Sequence, residues 1–110
     1  MRQAFALKSA VLALVASAGS AAADPAGFEL TTGHLGNDPG GTFISVSVKN
    51  NTAATVPEIV VTCTFKDGGQ SVGTSSTTIY ATVAGTIGSD QVRLIGARST
   101  AADCAVTSPK

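Results

Sequence analysis

The chain has 110 residues, with seven basic and seven acidic side chains, one histidine and a mean hydropathy of +0.30. A balanced charge without a basic run leaves no electrostatic footprint for nucleic acid or for an anionic lipid surface. With only 13% charged residues and one imidazole, the chain is also poorly supplied for catalysis.

The first predicted element is a leader. Met1 to Lys8 carry Arg2 and Lys8 and no acid, Ala10 to Ala16 form a short apolar run (AVLALVA), and Ala21-Ala22-Ala23 is a small-residue exit. This order predicts a secretory signal peptide over residues 1–23, cleaved between Ala23 and Asp24. The apolar run is far below the ~20 residues needed to cross a bilayer, so no membrane span is expected. Asp24 rather than a cysteine follows the cleavage site, which argues against a lipid anchor, and no twin-arginine pair is present. Export by the general pathway, to a periplasm or outside the cell, is the expectation. Residues 24–110 then make one small domain with five bases and seven acids.

Within residues 24–110 there are 9 Val and 5 Ile against 3 Leu, with 14 Thr and 8 Ser, a balance that favours strands because Cβ-branched side chains pack well on a pleated surface. Gly27 to Thr32 is a short strand, followed by a glycine-rich loop, Gly33 to Gly41. Thr42 to Lys49 alternates cleanly, with Ile44, Val46 and Val48 on one side, as a half-buried strand does. Asn50-Asn51-Thr52 turns the chain. Pro57 to Lys66 puts Ile59, Val61, Cys63 and Phe65 on one parity, and Asp67-Gly68-Gly69 is a hairpin signal. Ser71 to Val83 is extended but polar, suited to an edge. Ala84-Gly85 breaks it, Ile87 to Ile95 resumes, Gly96 to Ala102 is a loop, and Asp103 to Thr107 closes the domain. Six to seven short strands at this spacing, with no intervening helices, predict an all-β, antiparallel two-sheet sandwich.

Cys63 and Cys104 are the only cysteines. An even count in an exported chain reads as a disulfide, and their parities aim both at the core between facing sheets. Free buried thiols and a redox pair are the alternatives, the second without a C-x-x-C spacing to support it.

The order of these signals resembles a known family. A strand ending in Asn-Asn (ISVSVKNNT), a Cys-bearing strand running into Phe-x-Asp-Gly (VVTCTFKDGGQSVG), a small-residue-Gly turn (VAGTIGSDQVRL) and a closing Cys strand (DCAV) are similar to the FxLYD-type, immunoglobulin-like exported bacterial domains over residues 42–107. No Leu-Tyr-Asp string is present, and Ala84-Gly85 stands where that pattern has Pro-Gly. The resemblance implies an immunoglobulin-like sandwich outside the cytosol and assigns no functional residue.

The remaining candidates for chemistry are sparse. His34 sits among glycines, where a surface histidine without catalytic or metal-binding partners is the simpler reading, and a triad would need a serine and an acid brought to it. Gly33 to Gly41 lacks the lysine and helix of a phosphate loop, and its Asn37 and Asp38 offer too little oxygen for calcium. Asn50-x-Thr52 fits a glycosylation sequon, though an Asn-rich turn explains it more simply. Glu29, Asp38, Glu58, Asp67, Asp90 and Asp103 are dispersed, and Arg93, Arg98 and Lys66 suit a solvated face. Val60 and Phe43 are the apolar candidates for a contact surface. No metal and no cofactor are expected. The sequence therefore points to a non-enzymatic exported domain acting through protein contacts, with the Ser71 to Thr78 strand as an edge for a partner. The alternative is an extracellular protease inhibitor, for which Thr31-Thr32-Gly33 resembles part of a loop in immunoglobulin-like cysteine-protease inhibitors.

Overall fold

The computed structural model describes residues 25–109. The expected leader and the expected cleavage between Ala23 and Asp24 lie outside the described residues.

Six strands follow in order: β1 (Phe28–Asp38), β2 (Gly41–Asn50), β3 (Val56–Asp67), β4 (Gln70–Thr82), β5 (Ile87–Ile95) and β6 (Ala101–Pro109). They form two antiparallel sheets, β1-β2-β5 and β4-β3-β6, packed face to face, with no helix among the described residues. The first, second and fifth strands share one layer and the third and sixth the other. This is the immunoglobulin-like arrangement, here with β4 paired to β3 rather than to β5.

Alternation builds the core. Ile44, Val46 and Val48 on β2 face Ile59, Val61, Cys63 and Phe65 on β3, and these central strands supply most of the fully buried side chains, joined by Val92 of β5. Burial of a large aliphatic or aromatic side chain contributes roughly 1.5–3 kcal/mol, so the two central strands dominate the hydrophobic stabilisation.

Two expectations are corrected. Gly33 to Gly41 is not a loop: β1 continues to Asp38 and only Pro39-Gly40 turns. Its glycines serve packing as well as turning, since a Cβ on Gly36 would lie 2.5 Å from Cζ of Phe43, whose ring covers that position. Gly33 and His34 form a bulge, where the β1–β2 register shifts between Thr32 and Leu35. The second correction concerns the disulfide. Cys63 and Cys104 are bonded, but they stand opposite one another on neighbouring strands of a single sheet, with Cα atoms 4.0 Å apart. Equal parity on adjacent antiparallel strands places two side chains on the same face, so the bridge staples β3 to β6 instead of spanning the layers. Cys63 is fully buried and Cys104 partly so.

Polar clusters fix both ends of the sandwich. Asn50, fully buried, donates its amide hydrogens to the carbonyls of Ala54 and Thr82, each at 2.9 Å, and accepts from the backbone N–H and hydroxyl of Thr52. It thereby ties the β2–β3 and β4–β5 crossovers together, and as a buried, fully bonded amide it is closed to glycosylation in the folded state. At the other end Asn37 exchanges two hydrogen bonds with the backbone of Ser99, and the Ser99 hydroxyl meets that of Thr42 at 3.1 Å. The β5–β6 connection is thus held against β1.

Candidate functional site

The two flanks of the sandwich differ. Where β4 faces β5, the layers interlock. A Cβ on Gly73 would meet both Leu94 methyls at 2.9 Å, and one on Gly88 would lie 2.5 Å from Cγ2 of Ile79. Bare backbone on one strand accepts a large side chain from the other at two places, and the Thr77 hydroxyl donates to Asp90 at 2.5 Å between them.

Where β1 faces β6, no such interlock exists. Thr32 points inward, opposite the 1%-exposed Val46, yet is itself exposed to solvent. Leu35 on β1 and Ala102 and Cys104 on β6 pack on the core but stay half-buried. These side chains lie along the flank between the edge strands β1 and β6. Spacing within strands marks which residues point inward but not which strands end up at an edge, so this flank is absent from the sequence-derived candidates.

Those candidates are scattered by the fold. His34 is exposed in the β1 bulge and makes no side-chain hydrogen bond to a described serine or carboxylate. Thr31, Thr32 and Gly33 lie in the same strand beside it. Val60 and Phe43 fall on the outer faces of opposite sheets and do not form one surface. Among the described residues no group of three His, Cys, Asp or Glu side chains could hold a metal ion.

Of the basic residues, Arg93 and Lys66 are paired. Arg93 donates to both carboxylate oxygens of Asp38, at 3.1 and 2.8 Å, and Gly40 N–H donates to the same carboxylate at 2.8 Å. The hydrogen bonds from Arg93 lead in holding the Asp38 carboxyl below its usual range, and Asp38 in turn raises the guanidinium. The Arg93 guanidinium also lies 5.3 Å from the centre of the Phe43 ring, a cation–π contact. Lys66 pairs with Asp103 at 2.8 Å between exposed side chains, a contact of little energetic weight. On the outer face of the β4-β3-β6 sheet, the Thr62 hydroxyl bonds those of Ser76 and Thr107 at 2.8 and 2.9 Å, giving a polar, hydroxyl-rich surface.

One backbone position is strained. Ala81 has φ 54°, opposite Pro57, which has no N–H to donate, and it precedes Thr82, whose buried hydroxyl has no partner. An alanine in this region costs on the order of 1–2 kcal/mol, partly offset in glycine by its greater freedom when unfolded. Ala81→Gly is therefore expected to stabilise the protein by about 0.5–1 kcal/mol, read as a rise of roughly 3–5 °C in Tm by calorimetry. An unchanged or lower Tm refutes the strain.

Comparison with protein-family models, with curated proteins and with solved structures returns no match.

Proposed function

We propose that this is a small exported, non-enzymatic β-sandwich that works by contact with another protein. The observation that carries the reading is the unequal packing of the two flanks: one is interlocked through Gly73 and Gly88, while on the other the inward-facing Thr32, Leu35, Ala102 and Cys104 keep part of their surface in solvent. Half-exposed apolar side chains beside unpaired strand edges suit recognition of protein. The leader-like residues 1–23 and the Cys63–Cys104 bridge support export, because disulfides persist in oxidising compartments. The FxLYD-type resemblance over residues 42–107 agrees with that location. Chemical crosslinking of the tagged full chain in its native compartment tests the reading. A reproducible adduct with one protein, reduced by substitutions on the β1/β6 flank, is the expected outcome; no reproducible adduct from any surface overturns it.

A further inference from the structure

We infer that the β4/β5 flank is a self-association surface, on which a second copy of this chain docks across a two-fold axis passing Gln91 and Ser76. It is the flank opposite the one that carries the contact reading, and the inference does not rest on that reading.

Residue type sets this flank apart. Among the described residues five large apolar side chains stay exposed, Val72, Tyr80, Val83, Ile87 and Ile95, and all lie on β4, on β5 or in the turn between them. β4 carries no charged residue, and neither strand holds a lysine or a proline, residues that commonly blunt a sheet edge. By contrast β1 is interrupted by its bulge, and β6 carries Asp103 and Pro109. β5 runs for nine residues against β2 without a register shift, and no strand pairs with its other edge among the described residues.

The exposed side chains are placed symmetrically. Val92 is buried and the Gly88 position faces Ile79, so Ile87, Gln91 and Ile95 share the outer face of β5. Ile87 and Ile95, 63% and 73% exposed, stand four residues to either side of Gln91. On β4 the buried Ile79 points inward, and Ser76 bonds Thr62 on the outer face, so Tyr80 is turned outward. Tyr80 and the exposed Val72 stand four residues to either side of Ser76. The two centres coincide. Facing contacts of Gly73 with Leu94, Thr77 with Asp90 and Ile79 with Gly88 run antiparallel in constant step, which sets Ser76 across from Gln91. One axis normal to the layers therefore relates both patterns.

Such symmetry is what a two-fold contact requires. Antiparallel pairing of β5 with its copy about Gln91 sets Ile87 beside Ile95 of the second copy, twice over. It also joins residues of equal parity, so the ladder closes whichever parity presents its N–H and C=O groups at the edge. The same rotation brings Tyr80 to Val72 of the second copy. There β4, bounded by the positive-φ residues Gly73 and Ala81, meets its counterpart through side chains. No like charges stand directly opposite. Arg93 faces Ser89 of the second copy and Asp90 faces Val92, with the Asp90 oxygens already bonded by the Thr77 hydroxyl and the Gln91 N–H. A different protein places no demand for symmetry on this chain, whereas an isologous interface is its own complement.

The test begins with sedimentation of the purified chain from about 1 μM to 1 mM, where a monomer–dimer equilibrium is expected. Ile87→Lys or Ile95→Glu alone should weaken it about tenfold or more, because each charge meets an apolar side chain twice. Combining both substitutions in one chain should recover about threefold or more over either alone, since each lysine then meets a glutamate of the other copy. Tyr80 is the only tyrosine and the chain has no tryptophan, so its fluorescence should become less quenchable by iodide as the dimer forms. Gln91→Cys should oxidise to a disulfide between copies, because opposed Cα atoms about 4.5–5.5 Å apart lie within bridging reach. Ser45→Cys, exposed on β2 opposite Gln91 and one strand away from the edge, should not. A monomer throughout the series overturns the inference. So does a dimer indifferent to both single substitutions, a combined variant no better than either, unchanged Tyr80 quenching in the dimer, or equal bridging from positions 45 and 91. In cells, p-benzoylphenylalanine in place of Gln91 should give an adduct of twice the chain's mass, and an adduct to a different protein alone overturns the choice of a second copy.

Discussion

Gly41→Ala is expected to destabilise the fold by about 3–5 kcal/mol. Gly41 opens β2 at φ 144°, a conformation that a side chain rarely tolerates. A Cβ there would lie 2.1 Å from the carbonyl oxygen of Leu94 and 3.1 Å from the backbone nitrogen of Gly96. Both are main-chain atoms of the adjacent β5 end, and Gly96 is itself held by its hydrogen bond to the Gly40 carbonyl at 2.9 Å. Relief therefore requires the β2–β5 ladder to separate where Gly41 pairs with Ile95. A domain of this size has a total stability on the order of 4–13 kcal/mol, so the substitution removes a large share of it. Urea denaturation of the variant should show a much lower midpoint with an unchanged slope. Gly68→Ala is the control: its φ is 60° but its Cβ would meet nothing within 4 Å, so its cost is limited to about 1 kcal/mol of backbone strain. Comparable losses in the two variants refute the collision argument.

Opening the Cys63–Cys104 bridge is expected to lower Tm by about 15 °C or more. The bond closes a separation of 41 residues, and the chain-entropy estimate for such a loop is about 4 kcal/mol. Cys63→Ala with Cys104→Ala isolates this contribution. Cys63→Ser alone should cost more, because it places a hydroxyl at a fully buried position, with a desolvation penalty of about 1–3 kcal/mol when unpaired. Calorimetry with and without reductant measures the effect in the unaltered chain, and superimposable curves refute it.

Period-two alternation locates the core strands well because burial of one face leaves a direct record in residue type. Ile44, Val46 and Val48, then Ile59 to Phe65, need nothing beyond their spacing to be placed inside. The same record is ambiguous for the cysteines: inward parity is shared by residues facing across the sandwich and by residues side by side in one sheet, and only strand order separates the two. Glycine misleads for a related reason. A missing side chain signals a turn at Gly40, a space for the Phe43 ring at Gly36 and a close approach of layers at Gly73 and Gly88, and local sequence does not distinguish these uses. The β1/β6 flank is the least legible feature, because an edge is a property of sheet order and Thr32, polar and exposed, carries no sign that it points inward.

The two glycines at the β4/β5 flank let Leu94 and Ile79 seat against bare backbone of the opposite layer. A side chain added at either position would have to push the layers apart along that flank, so the spacing of the sheets there is written in two missing Cβ atoms.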